Sequence, residues 1–244
     1  MAKGSKKSSS QRKKAGLGQW LLAGLVLVGV SYLFQFWRNW EGGKVGGSGV
    51  AAFLSTLGGG EKQRIGLVAG HWKNDSGAVC PDGLTEVTIN QDVAERTATL
   101  LRRSGYSVDL MREFDPLLKG YESAAFVSIH SDSCINTISG FKVARQPESE
   151  SPEQSDRLVQ SLYQEYAAAT GLEPHRDTIT SDMREYHAFN EISPRTPAAI
   201  IEIGFMGADR QLLTRRPDLV ARGIARGIIN FMQPESEATA TPAR

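Results

Sequence analysis

Acidic residues are absent from the beginning of this 244-residue chain. The first fourteen residues carry six positive charges, and an uncharged, largely apolar stretch then runs from Leu17 to Trp37. About 20 apolar residues, each rising roughly 1.5 Å, cross the hydrocarbon core of a bilayer. We therefore predict a basic cytoplasmic segment at 1–16 and a transmembrane anchor at 17–37. The rest of the chain should lie outside the membrane, because positive residues stay in the cytoplasm.

A small-x-small cleavage site is also absent close behind this stretch. Its absence and the length of the apolar region argue against a cleaved signal peptide, although that alternative stays open. A buried core helix is disfavoured, because the apolar residues cover all faces of the segment and not one stripe. An uncleaved signal anchor is the favoured interpretation.

Beyond the anchor the chain has no excess of positive charge. Removing residues 1–38 leaves 21 Lys and Arg against 27 Asp and Glu, a net charge of −6. Nucleic-acid binding depends on a basic surface that neutralises phosphates. We therefore expect no nucleic-acid partner, and we interpret the amino-terminal lysines as topology signals.

Core-forming residues are scarce in two further segments. Residues 38–60 are rich in glycine and serine, which predicts a flexible linker. Residues 234–244 contain no large apolar residue, which predicts a disordered tail. The remaining residues, 61–233, are enough for one ordinary domain, and they contain no internal repeat.

Short apolar runs alternate with longer helical patterns along residues 61–233. Strand–helix alternation of this kind predicts a single α/β domain with a mostly parallel central sheet flanked by helices. The predicted strands are 64–70, 108–111, 124–130, 140–144 and 198–203, and the predicted helices are 86–104, 155–170 and 219–232.

Histidine is scarce, and two of the four histidines follow or end predicted strands. His71 comes directly after the first strand and His130 ends the third, while Glu202 lies near the carboxyl end of the last. Ligand sites of open α/β sheets gather at the carboxyl ends of the strands. Ionisable groups there are costly unless they are paired or coordinated. One metal ion would explain all three placements, although a single histidine after a strand is more often a turn or core residue.

Four segments occur along the chain in a characteristic order. They are Val-Ala-Gly-His71, Glu86, Phe-Val-Ser-Ile-His130-Ser-Asp and Ile-Ile-Glu202-Ile-Gly-Phe. Together they resemble the zinc-dependent N-acetylmuramoyl-L-alanine amidases of the amidase 3 type, over about residues 63–233. The resemblance implies that His71, Glu86 and His130 bind Zn²⁺ and leave a fourth position for water. The assignment of Glu86 depends mainly on the resemblance, because an acid at a helix start also suits the helix dipole.

The resemblance also implies the reaction. Zinc would lower the pKa of a bound water and polarise the scissile carbonyl, while Glu202 would act as general base and then protonate the leaving amine. The bond would join the lactyl group of N-acetylmuramic acid to L-alanine in peptidoglycan. Two alternatives stay open: a non-catalytic peptidoglycan-binding or division-complex module, and a zinc peptidase that cuts within the stem peptide. The sequence does not indicate a protein activator.

Two connections are shorter than is usual in this family. The segment 112–130 is short, whereas relatives usually carry an additional helix before the third strand. The segment 146–152 has no room for the inserted helix that blocks the zinc in some relatives. We therefore expect no built-in plug of that kind.

Only two cysteines are present, Cys80 and Cys134. Cys80 lies six residues before Glu86 and Cys134 four residues after His130, so a shared metal would make their loops neighbours. A location outside the cytoplasm permits oxidation, which makes a disulfide between them a reasonable hypothesis. Two free thiols, or one cysteine as a fourth zinc ligand, are the alternatives.

Three further polar residues are candidates for the cleft. His187 precedes the last predicted strand and is a candidate substrate contact, although a surface histidine is an equal alternative. Asn90 and Ser131 are close in sequence to the predicted ligands, and could support those ligands or contact substrate. His175 follows Pro174 in a loop and is assigned no function.

Overall fold

The centre of the protein is a five-stranded sheet, seen in a computed structural model that describes residues 63–234. The strands are β1 (Arg64–Ala69), β2 (Ser107–Met111), β3 (Ala125–Asp132), β4 (Lys142–Ala144) and β5 (Ala198–Phe205). They lie in the order β2-β1-β3-β5-β4, and every neighbouring pair is parallel except β4 and β5. The prediction of a mostly parallel α/β sheet is therefore confirmed.

Helices of very different length connect the strands. They are α1 (Glu86–Arg103), α2 (Pro152–Thr170), α3 (Ser181–Arg184), α4 (His187–Glu191), α5 (Arg210–Arg215) and α6 (Pro217–Met232), with 3-10 helices at Pro116–Leu118 and Arg176–Thr178. The three long helices confirm the predicted ones. The short helices escaped prediction, because four to six residues are too few to show a helical apolar period.

Alternate strand residues pack on opposite faces of the sheet, which creates two cores. On one face Leu67, Val127 and Ile201 are buried together with apolar residues of α1, α2 and α6. On the other face Val68 and Ile200 are buried together with residues of the segment that contains α3 and α4. The sheet is thus covered on both faces, as the near-continuous apolar strands of a parallel sheet require.

Helices α2 and α6 pack closely because α6 contains glycines at the contact. A Cβ atom added to Gly227 would lie 2.9 Å from the Cα of Leu162, and one added to Gly223 would lie 3.0 Å from the Cα of Tyr166. No side chain fits at either position unless the helices separate. Together with α1, this pair of helices covers one face of the sheet.

Side chains form hydrogen bonds with backbone groups of the strands at both edges of the sheet. The Tyr163 hydroxyl of α2 donates to the carbonyl of Val143 in β4 at 2.9 Å and accepts from the N–H of the same residue at 2.9 Å. At the opposite edge Arg102 of α1 donates to the carbonyl of Val108 in β2 at 2.7 Å. These bonds connect the long helices to the outermost strands.

No helix among residues 63–234 has the length and apolar character to cross a bilayer. The predicted anchor at 17–37 lies outside the described residues, and so do the basic segment at 1–16, the linker at 38–60 and all of the predicted tail beyond residue 234. Those predictions remain as the sequence left them.

Candidate active site

The carboxyl edge of the parallel strands gathers the ionisable residues of the site. His71 follows β1, Glu113 follows β2, His130 lies within β3 and Glu202 lies within β5. His130 and Glu202 are register partners on neighbouring strands. The sequence argument from strand ends therefore led to one location, as the topology of a parallel sheet requires.

His71 lies in an unusual backbone conformation. Its φ of 66° is in the left-handed region, where a residue with a Cβ atom is strained. Its Nδ1 is 2.6 Å from Asp75 Oδ1 and its Nε2 is 3.3 Å from Glu86 Oε1. The hydrogen bond to Glu86 raises the pKa of His71 to about 9, and burial opposes the shift. Asp75 therefore fixes the ring and turns Nε2 toward Glu86.

Glu86 is the first residue of α1, and its carboxylate is surrounded by donors. Oε2 accepts from the N–H of Ala78 at 3.0 Å, and Oε1 accepts from the N–H of Ser131 at 3.2 Å and from Asn90 at 3.1 Å. Burial opposes ionisation, but the hydrogen bonds with His130 and His71 outweigh it and hold the pKa of Glu86 well below its usual range. The site therefore contains a permanent carboxylate at its base.

His130 is buried against the loop that follows β1. A Cβ atom added to Gly70 would lie 2.4 Å from the His130 ring, so only glycine fits there. His130 Nδ1 is 3.2 Å from Glu86 Oε1. Within the described residues its Nε2 has no hydrogen-bond partner, although Glu113 Oε2 lies 3.8 Å away. A buried ring nitrogen without a partner is characteristic of a site built for more than packing.

The geometry of the two histidines and Glu86 fits a metal ion. Their ligand atoms all lie within 4.8 Å of one another. The two histidine nitrogens are 3.3 and 3.2 Å from Glu86 Oε1, and atoms bound to a tetrahedral zinc ion lie about 3.3 Å apart. Two imidazoles and one carboxylate, with a fourth position open, are also the donor set of zinc hydrolases. The histidine–aspartate contact of His71 is the usual support for such a ligand.

Glu202 lies on the β5 side of His130 and has a different environment from Glu86. Its Oε2 is buried and has no hydrogen-bond partner within residues 63–234. Burial raises the pKa of Glu202 to about 7, Glu86 adds to the shift, and His130 opposes it. A carboxylate that exchanges its proton near neutral pH suits a general base.

Lys142 faces the same part of the site from β4. It is the register partner of Glu202, is buried, and forms an ion pair with Asp132. Its ammonium group also donates to the carbonyl of Thr178 at 3.1 Å. The cation is therefore held in place beside Glu202, and it opposes the effect of burial on the pKa of that carboxyl.

Glu113 is a residue of the site that the sequence argument missed. It is buried, and it accepts from the backbone N–H of His71, from the Tyr186 hydroxyl at 2.9 Å and from His187 Nε2 at 2.9 Å. Burial opposes ionisation, but the hydrogen bond from His187 and the charge of His130 lower the pKa of Glu113 to about 2. The strand-end rule could have found it, because Glu113 lies two residues after β2.

The structure places the secondary candidates in two different environments. Asn90 and Ser131 are both buried, and the Ser131 hydroxyl donates to Asn90 at 2.7 Å while Asn90 donates to Glu86. These contacts support Glu86 and leave neither side chain exposed toward a substrate. His187 instead lies at the rim and is connected to the site through Glu113.

The cysteines form a disulfide next to the predicted ligands. Cys80 and Cys134 are bonded, with Cα atoms 5.4 Å apart, so the hypothesis of a bridge is confirmed over free thiols or a fourth ligand. The bridge joins the loop that precedes Glu86 to the loop that follows His130. It therefore fixes two of the three candidate ligands relative to each other.

A sequence profile of the N-acetylmuramoyl-L-alanine amidase family, amidase 3 type, matches residues 65–230. Comparison with curated proteins finds no match. Similar solved structures include an N-acetylmuramoyl-L-alanine amidase from Clostridium difficile 630, with a TM-score of 0.59, 19% identity, and coverage of 71% of this chain and 98% of that one. The amidase Ami1 from Mycobacterium smegmatis has a TM-score of 0.57, 20% identity and coverage of 69% and 96%. The amidase AmiC2 of Nostoc punctiforme has a TM-score of 0.55, 24% identity and coverage of 72% and 100%.

Proposed function

The chain belongs to the N-acetylmuramoyl-L-alanine amidase family, and from this premise we propose that it is a zinc hydrolase in which Glu202 is the general base. Its substrate is the amide bond between N-acetylmuramic acid and L-alanine of peptidoglycan. The observation that carries the proposal is the meeting of His71, Glu86 and His130 within 4.8 Å, with Glu202 paired to His130 on the next strand.

The three ligands are prepared for a cation by their neighbours. His71, Glu86 and His130 would hold zinc, which when bound supplies an activated water and polarises the scissile carbonyl. Asp75 orients the His71 ring, and Asn90 and the Ser131 N–H orient the Glu86 carboxylate. Ligands held in this way lose little freedom when the metal binds.

Glu202 manages the proton of the reaction. As the oxygen of the attacking water bonds to the carbonyl carbon, its proton passes to the Glu202 carboxylate. As the carbon–nitrogen bond breaks, Glu202 returns that proton to the nitrogen. The products are the free lactyl carboxyl group and the free amine of L-alanine. Burial, which raises the pKa of Glu202, favours its holding the proton between the two transfers.

We also propose that the enzyme is a single-pass membrane protein whose catalytic domain lies outside the cytoplasm. The support is the uncharged stretch at 17–37 behind a basic segment. The disulfide agrees with this location, because disulfides persist in oxidising compartments. A tether suits an immobile polymer such as peptidoglycan, since it keeps the enzyme close to the wall.

Product analysis tests the proposal. The full-length protein, solubilised in detergent, is incubated with purified muropeptides with and without a zinc chelator. Free stem peptides and unsubstituted glycan that disappear with the chelator are the expected result. Cuts inside the stem peptide would instead identify a peptidase. Zinc binding without any turnover would identify a binding module and contradict the role of Glu202.

A further inference from the structure

A few large apolar side chains are exposed in the connections that follow the parallel strands. In the described part of the chain, four large apolar residues are more than a third exposed: Val79, Phe114, Leu117 and Ile135. All four lie in the connections that follow β1, β2 and β3, at the edge of the sheet that carries the candidate ligands. Phe114 is the aromatic residue of the four, and an exposed aromatic ring beside a polar site is characteristic of ligand contact.

Phe114 has a defined support. Its ring stacks on His187, with centroids 4.2 Å apart and planes inclined by 28°, while the side chain remains 54% exposed. Both nitrogens of His187 are occupied, Nδ1 with Glu191 at 2.8 Å and Nε2 with Glu113 at 2.9 Å. His187 therefore has no free nitrogen for a substrate, and its ring serves to hold Phe114.

The stacked pair is connected directly to the ligands. Glu113, the residue before Phe114, accepts from the backbone N–H of His71 and lies 3.8 Å from His130 Nε2. The same carboxylate accepts from His187. Glu113 thus fixes the position of the Phe114 ring in two ways. It holds the backbone next to Phe114 against His71, and it holds His187, on which the ring stacks.

The strand order gives the direction in which a substrate crosses the site. Phe114 follows β2 and Glu202 lies in β5, so they flank the ligands that follow or lie in β1 and β3. Because Glu202 protonates the leaving amine, the stem peptide extends on the β5 side. The acyl half of the substrate, which carries the sugar, then extends toward β2.

We infer that Phe114, held by His187, is a subsite for the sugar ring of N-acetylmuramic acid, an inference that rests on the proposed function. A pyranose ring presents a face of C–H groups that packs against an aromatic ring.

A pair of substrates tests the subsite. Full-length protein is given a sugar-bearing stem peptide and a lactyl stem peptide of the same sequence without sugar. Phe114→Ala should lower the ratio of kcat/KM, sugar-bearing to sugar-free, by about tenfold, and Phe114→Trp should restore it. Leu117→Ala removes a similarly exposed apolar side chain from the same segment and should leave the ratio unchanged. An unchanged ratio in Phe114→Ala overturns the inference.

Binding separates failure of the subsite from failure of the proposed function. If the protein hydrolyses neither substrate, the proposed function fails. The subsite is then judged by saturation-transfer NMR with N-acetylmuramic acid whose lactyl carboxyl is blocked as the methyl amide. Signal transfer that is lost in Phe114→Ala and kept in Leu117→Ala supports it. Equal transfer in all three proteins, or none in the unmodified protein, overturns it.

Discussion

Two glutamates on opposite sides of His130 differ in almost every physical respect. Glu86 accepts hydrogen bonds from two backbone N–H groups and from Asn90, and its pKa is held well below the usual range. Glu202 has a buried oxygen without a partner, and its pKa is raised to about 7. Identical side chains are thus suited to the two proposed roles, a permanent ligand and a proton carrier. Their surroundings, and not their chemistry, assign the two roles.

Removing the Glu86 carboxylate should have the largest effect. Glu86→Ala takes away one candidate metal ligand and leaves buried donors, including the N–H groups of Ala78 and Ser131, without an acceptor. We expect activity to disappear, zinc content to fall below detection, and the free energy of unfolding to drop by roughly 3 kcal/mol. Atomic emission measures the zinc content, and urea unfolding measures the free energy of unfolding. A variant that still binds one zinc per chain would show that Glu86 is not a ligand.

Glu202→Gln should separate catalysis from metal binding. The amide keeps the shape of the side chain but cannot exchange a proton, so kcat should fall by roughly a thousandfold. Zinc content should stay as in the unmodified protein, because Glu202 is not among the three candidate ligands. Steady-state kinetics together with metal analysis check both. If zinc is lost from this variant as well, the distinction between the two glutamates is wrong.

The disulfide should stabilise the surroundings of Glu86 more than those of Glu202. Replacing both Cys80 and Cys134 by serine removes a link across 54 residues, which stabilises the fold by about 4 kcal/mol in the chain-entropy model. Zinc affinity should also weaken, by about tenfold, because Glu86 and His130 lose their common support. Urea unfolding and zinc competition titration measure the two effects. Unchanged zinc affinity would limit the bridge to stability.

The two glutamates should also differ in how they link stability to pH. Between pH 4.5 and 7 folded Glu202 binds more protons than the unfolded chain, so its contribution to stability falls as pH rises through this window. Across this window, the free energy of unfolding of the metal-free protein should fall by up to roughly 3 kcal/mol relative to that of metal-free Glu202→Gln. Glu86, with its lowered pKa, loses its contribution only as pH falls below 4.5. Urea unfolding of both proteins with chelator, from pH 4 to 8, measures the difference between their free energies of unfolding. Parallel curves for the two proteins would contradict a raised pKa for Glu202.

Much of this arrangement could be predicted because it follows from strand order. Apolar runs locate the strands, and in a parallel sheet their carboxyl ends meet, so His71, His130 and Glu202 are expected together. The near-continuous burial of β1, β3 and β5 also agrees with the predicted parallel sheet. Family resemblance was needed for Glu86, since an acid at a helix start has an ordinary explanation.

The remainder depends on contacts that no local pattern encodes. Glu113 lies in an unremarkable turn after β2, and its importance comes from Tyr186 and His187, more than 70 residues later in the chain. The helices that bring those residues to the site are only four and five residues long. The opposite pKa shifts of Glu86 and Glu202 likewise depend on burial and donor geometry, which tertiary packing determines.

The side chains at the two edges of the sheet have a consequence for how copies of the protein meet. An open strand edge is a template on which another chain can add a strand, and such pairing leads to aggregation. At Val143 the Tyr163 hydroxyl already occupies both the N–H and the carbonyl, and at Val108 Arg102 occupies the carbonyl. Two copies of the protein can therefore meet edge to edge without joining their sheets at these positions.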